Sequence, residues 1–129
     1  MPHITIEYSA NVGEIHDIER LVDVVHAAAL ATGMPSLDAL RTRAVGRQHY
    51  RVADGQPDRA FVAITGRVAP GREPAAKTAF ITAILDAAME QLASESNELA
   101  IAWSVELQEV DPDSRINRNE IRTRMAAGR

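Results

Sequence analysis

The sequence predicts an α/β (α+β) fold: two βαβ units forming one four-stranded mixed sheet, with two helices on one face. Three observations carry this reading. Ile4–Tyr8 and Ile101–Leu107 alternate apolar and polar or small residues with the two-residue period of a strand. Residues 14–32 and 75–94 place apolar side chains at three- and four-residue steps, the period of a helix. The elements follow the order strand, helix, strand, turn, strand, helix, strand, and right-handed crossovers bring both helices to the same side. A chain of 129 residues is the size of one ordinary domain. The expected division is a first unit over 1–46, a second over 60–108 and a tail over 111–129.

The first strand begins almost at residue 1, with Ile4, Ile6 and Tyr8 alternating with Thr5 and Glu7. Ser9 to Gly13 reads as a short polar connection. A helix is expected from about Glu14 to Thr32, with Ile15, Ile18, Val22, Val25 and Ala29 on its buried face. Glu14 and Asp17 in its first turn suit the helix dipole, and Gly33 followed by Pro35 ends it. Leu40 to Val45 reads as the second strand, where Arg41 and Arg43, two residues apart, share one side. Asp54-Gly55 marks a turn. The third strand is expected over Phe61–Val68. Pro74 then fits the first turn of a helix over Ala75–Ser94, whose buried face is Ile81, Ile84, Ala88 and Leu92. Leu99–Leu107 is the fourth strand, and Asp111-Pro112-Asp113 ends it. In the tail, Arg115, Arg118, Arg122, Arg124 and Arg129 accompany Ile116, Ile121 and Met125, which are possible anchors.

Composition narrows the chemistry. Hydrophobic residues are 46% of the chain, enough for a core, and the aromatic share of 4% means that Ala, Val, Ile and Leu must build it. A net charge of −4 gives no electrostatic reason to expect nucleic acid or an anionic membrane. The absence of Cys excludes disulfides and thiolate chemistry and fits a cytoplasmic protein. His3, His16, His26 and His49 have no paired metal-ligand spacing and read as surface or hydrogen-bonding residues. The expected strands offer apolar residues to both faces of a sheet that has helices on one, so a second copy is expected on the bare side.

What remains for chemistry is an amine and a set of arginines. Loss of Met1, favoured by the small residue after it, would make Pro2 the amino terminus, a secondary amine at the head of a strand. Arg41, Arg43, Arg67 and Arg72 stand near strand and loop ends. Nearby cations and burial both disfavour a protonated amine, and an arginine fork grips a carboxylate through two parallel hydrogen bonds. Together these residues point to proton transfer on a small polycarboxylate, with no metal or organic cofactor.

At this point the chain resembles a known family. Pro2 opening a strand of a βαβ half resembles the tautomerase superfamily, and the closer resemblance is to 5-carboxymethyl-2-hydroxymuconate isomerases. It rests on Pro2-His3, Glu7-x-Ser9-x-Asn11, Ala31-Thr32-Gly33, Arg41-x-Arg43, Ala53-Asp54-Gly55-Gln56-x-Asp58-x-Ala60-Phe61-Val62 and Gly71-Arg72, in that order. The resemblance implies a homotrimer with its sheets facing inward, and ketonisation of a dienol tricarboxylate in homoprotocatechuate catabolism. It implies Pro2 as general base and Arg41 and Arg72 as catalytic and substrate-binding residues, with Arg43 beside them. The chain departs from the family pattern at Gly46-Arg47-Gln48-His49, where the family is more aromatic. It departs again at Ile116 and Asn117, where the family has an aromatic residue and a lysine. Two other readings use the same scaffold. One is a decarboxylase, dehalogenase or hydratase with protonated Pro2 and a water activated by Glu7 or Glu106. The other is a non-catalytic trimeric interaction protein.

Overall fold

The structure is a computed structural model that describes residues 2–129; the expected loss of Met1 concerns a residue outside the described ones. The elements run β1 (His3–Ser9), α1 (Ala10–Ile15), α2 (Ile18–Ala31), β2 (Arg41–Arg47), β3 (Arg59–Val68), α3 (Pro74–Glu95), β4 (Ala100–Glu109), a 3-10 turn (Pro112–Ser114) and α4 (Glu120–Ala126). The sheet order is β2-β1-β3-β4. β1 pairs parallel with β2 and antiparallel with β3, and β3 pairs parallel with β4. This is the predicted mixed sheet, with the amino-terminal strand in its interior.

Alternation along the strands selects the core. Ile4 and Ile6 of β1 and Val62 and Ile64 of β3 are buried against Leu21, Val25 and Ala29 of α2 and Phe80, Ile84, Ala88 and Leu92 of α3. Trp103, Val105 and Leu107 of β4 pack partly buried on the same cluster. The cross-strand pairs Ile6↔Ile64, Ile64↔Val105 and Val62↔Trp103 show why these residues share one side. At about 25 cal/mol per Å² of apolar area, this one-sided burial is the main stabilising term.

Three expectations need correction. The connection expected over Ser9–Gly13 is largely helical, since α1 begins at Ala10. The single helix expected over Glu14–Thr32 is broken at His16-Asp17. There the Asp17 carboxylate accepts a hydrogen bond from Arg20 N at 3.0 Å and caps α2. His16 turns inward to meet Glu95, with Nδ1 and Oε1 2.7 Å apart. Ile15, expected on the buried face, is therefore exposed, and Leu21 lies in the core. Finally, the uncovered sheet face is not apolar. Ile4, Ile6 and Trp103 all lie on the helix side. The registers give the other side to Arg41, Arg43, Val45 and Arg47, to His3, Thr5 and Glu7, to Phe61, Ala63, Thr65 and Arg67, and to Ala102, Ser104, Glu106 and Gln108.

At the end of the sheet remote from Pro2, several residues of the recurring pattern serve as fasteners. Ser9 Oγ accepts from Phe61 N at 2.9 Å and donates to Asn11 Oδ1 at 2.7 Å, while Asn11 Nδ2 donates to Arg59 O at 2.8 Å. Both side chains are buried, so these bonds satisfy polar groups that would otherwise be costly to bury. Ala53 and Gly55 have φ of 51° and 77° and turn the chain tightly around Asp54. Asp54 in turn accepts from Arg59 Nε at 3.0 Å. The Arg59 guanidinium holds the Asp54 carboxyl below its usual range.

Candidate active site

The topology decides which residues meet. β1 and β2 start at the same end of the sheet, and β3 finishes there: His3 is paired with both Arg41 and Arg67. The end of α2 and the start of α3 flank that end on the helix side. Pro2 stands at the head of β1 with its ring fully buried, and its carbonyl accepts from Arg41 N at 3.3 Å. Pro2 immediately precedes β1, and continuing the strand's alternation back by one residue sets it opposite to His3. Pro2 belongs with Ile4's neighbours on the helix side in this alternation only by period, while His3 lies on the open face with Arg41 and Arg43.

On the open face the side chains form a compact cationic group. Arg41 Nη1 is 3.2 Å from His3 Nε2, and Arg43 Nη1 is 3.0 Å from His3 Nδ1. A neutral imidazole has one acceptor nitrogen, so it satisfies only one of these guanidinium groups. Partial burial, then Arg43, Arg41 and Arg67, hold the His3 pKa below 6.5. The tail crosses this end of the sheet. Val110 N donates to Val68 O at 2.9 Å, Arg41 Nη2 reaches Asn117 Oδ1 at 3.5 Å, and Asn119 Nδ2 donates to Asp38 O at 2.9 Å. Arg122 on α4 pairs with Asp38, and that bond lowers the Asp38 pKa.

Arg72 stands at the same end but on the helix side. Its Nη1 donates to Ala69 O at 2.9 Å. It lines an open hollow of ≈ 390 Å³ with Thr32, Gly33, Met34, Ala76 and Ala79. The Ala31-Thr32-Gly33 stretch shapes this hollow: Thr32 Oγ1 donates to Ala29 O at 2.7 Å, and Gly33 turns with φ 78°. The structure thus gathers Pro2, Arg41 and Arg43 at one edge and sets Arg72 across that edge from Arg43. Of the expected site residues, these four share one end of the molecule, whereas Arg43 and Arg72 line different hollows. Sequence reasoning read His3 as a surface or hydrogen-bonding residue and left it out of the site; its alternation with Ile4 was the available signal that it faces the Arg41 and Arg43 side. Among the described residues, no three or more His, Cys, Asp or Glu side chains converge as a metal site. No helix of the structure is long and apolar enough to cross a membrane.

The chain is thus a mixed four-stranded domain whose leading strand is headed by a buried Pro2 and whose arginines gather at one end of the sheet. The model of the family described as 5-carboxymethyl-2-hydroxymuconate isomerase matches residues 2–125. The chain belongs to that family and is an isomerase. It is 27% identical over 121 residues to 5-carboxymethyl-2-hydroxymuconate Delta-isomerase of Escherichia coli, covering 94% of this chain and 96% of the relative. The solved 5-carboxymethyl-2-hydroxymuconate isomerase of Deinococcus radiodurans R1 superposes with a TM-score of 0.85 at 26% identity, over 96% of this chain and 93% of that one. A fused 4-OT wild-type symmetric trimer shares the fold, with a TM-score of 0.65 at 18% identity over 98% and 99% of the two chains.

Proposed function

We propose that this isomerase ketonises 5-carboxymethyl-2-hydroxymuconate or a similar dienol polycarboxylate, with Pro2, freed by loss of Met1, as general base. The observation that carries the reading is a family match that begins at Pro2, a residue buried at the head of an interior strand. Pro2 takes the proton of the 2-hydroxyl group, electrons move through the diene, and a proton is returned to carbon 5. Arg41 and Arg72 hold carboxylates and stabilise dienolate charge, and Arg43 assists in binding. The scheme uses no cofactor. Its setting is aromatic acid catabolism, of homoprotocatechuate in particular, in the cytoplasm, as the cysteine-free composition supports. The likeness to a symmetric trimer and the two edge strands, β2 and β4, support a homotrimer.

The test compares three purified proteins in a dienol-to-ketone assay, each with an intact mass and a sedimentation profile. The parent protein lacks Met1, turns over and sediments as a trimer. Pro2→Ala keeps a primary amine and is slowed rather than inactive. A protein with an uncleavable residue ahead of Pro2 stays folded and trimeric but loses about 100-fold or more in rate, the usual contribution of a positioned base. Full turnover by that blocked protein removes Pro2 from the mechanism, and a folded monomer removes the trimer.

A further inference from the structure

The tail after β4 crosses the end of the sheet that holds Pro2, and apolar burial does not keep it there. Ile116, Ile121 and Met125, read from the sequence as possible anchors, are exposed, and α4 buries no residue. A helix of 7 residues is also too short to persist by its own hydrogen bonds. What fixes the tail is polar and falls on one place. Asn119 uses both ends of its side chain: Oδ1 accepts from Ile121 N at 3.0 Å and Arg122 N at 3.3 Å, which starts α4, and Nδ2 donates to Asp38 O at 2.9 Å. The helix so begun carries the Arg122 guanidinium to the Asp38 carboxylate. The Asp38 side chain is 15% exposed, so this bond is shielded on its acceptor side. Asp38 stands three residues before Arg41. Its turn is closed by Ala39 N and Leu40 N, which both donate to Ser36 O at 3.2 Å, and Ala39 and Leu40 are buried. The clasp therefore ties the tail to the segment that leads into β2. It also sets Asn117 against Arg41, whose Nη2 reaches Asn117 Oδ1 at 3.5 Å while its Nη1 is 3.2 Å from His3 Nε2.

We propose that the clasp of Asn119 and Arg122 on Asp38 positions Arg41, so that Asn119 and Arg122 are positioning residues for an isomerisation whose substrate they do not touch. This rests on the functional reading of Arg41 above. A free arginine side chain spreads over many rotamers and must give them up to hold a carboxylate. His3 and Asn117 together take at most two of the five guanidinium N–H groups, one on each terminal nitrogen, and leave three. A carboxylate that bonds to two of those meets a fork already held in place. Asn117 lies two residues from Asn119, so its place beside Arg41 is set by the clasp and lost when the clasp opens. Because α4 buries nothing, opening the clasp leaves the sheet, α2 and α3 intact.

The experiment compares the whole protein with Arg122→Gln, Asn119→Ala and a control, Arg124→Gln, which removes the same charge from α4 outside the clasp. One readout is nitrogen NMR relaxation of the Arg41 Nε–H signal, assigned by its disappearance in Arg41→Gln. That group is ordered in the parent and in Arg124→Gln, and becomes mobile in Arg122→Gln and in Asn119→Ala. The other readout is kcat/KM in the dienol-to-ketone assay. It falls about two- to tenfold in both clasp variants, the range for one lost hydrogen bond, and holds in the control. In an Arg41→Gln background the clasp substitutions add no further loss, because they act through Arg41. An Arg41 side chain that stays ordered in both clasp variants overturns the proposal. So does an equal loss of kcat/KM in the Arg41→Gln background or in Arg124→Gln. Unfolding or a changed sedimentation profile in the clasp variants also overturns it, since the clasp is then a fastener of the fold. If the clasp variants loosen Arg41 while Arg41→Gln turns over like the parent, the positioning stands and the functional reading of Arg41 fails.

Discussion

His3 illustrates how a single residue can record the charge around it. Its folded pKa lies below 6.5, through burial first and then Arg43, Arg41 and Arg67. Below 6.5 the unfolded chain therefore takes up a proton that the folded chain resists. The stability that this neutral imidazole carries is fully present above 6.5 and is lost as pH falls through the depressed folded value. His3→Gln keeps a polar side chain without a titration. Its unfolding temperature should fall less between pH 7 and pH 5 than that of the parent, and identical pH slopes would mean that His3 does not sense the arginines. At this scale the sequence told part of the site. Arg41 and Arg43 were legible because a strand's period assigns them to one side, and Pro2 because its position and its amine are chemically distinctive. The role of His3 depended on Arg41 and Arg43, 38 and 40 positions away along the chain but beside it in the sheet, and no local pattern contains those pairings.

At the scale of elements, the break between α1 and α2 shows where periodicity misleads. Apolar spacing continues through residues 14–32, yet the helix stops at His16 because a side chain on α3 claims that residue. Glu95 Oε1 meets His16 Nδ1 at 2.7 Å, and its second oxygen accepts from Asp17 N at 3.4 Å. The His16 side chain is only 1% exposed, so removing its partner leaves a buried polar group unsatisfied. Glu95→Ala should cost about 1–3 kcal/mol and Asp17→Ala about 1 kcal/mol through the lost cap. The exposed Glu90→Ala should stay within about 0.5 kcal/mol. Denaturant midpoints at constant slope measure all three, and a neutral Glu95→Ala would detach this pair from the break. The cap itself was readable, since Asp is a favoured N-cap residue. The pairing that makes the break necessary spans 79 positions and was not.

The whole molecule departs from the sequence reading in how its sheet is covered. Alternating strands imply two different faces, and the residues between the core positions were expected to be apolar enough to call for a partner. The observed registers put Ile4, Ile6, Val62, Ile64, Trp103 and Val105 on one side, which two helices suffice to cover. The proposed trimer therefore draws no support from a greasy sheet. The order of strands and the position of both helices were legible because they follow from element order and crossover handedness. The crossing tail was not, since its hold on Asp38 comes from Asn119 and Arg122, polar residues in a segment without a strong period.

The interior place of β1 also sets a timetable. A chain made from its amino end completes β1 long before β3, which ends at Val68, exists to pair with it. Under the proposed function Met1 is removed in that interval, and in the folded structure Pro2 is buried. Under the proposed function, maturation of the enzyme is thus a race between trimming and folding. Chain that has been produced untrimmed, refolded and then given methionine aminopeptidase should keep Met1 and remain inactive, whereas the same chain trimmed while denatured-state segments are accessible and then refolded should gain activity. Intact mass and turnover, followed together, decide this: rapid trimming of the fully folded form would show that the amine can be made at any time in the life of the protein.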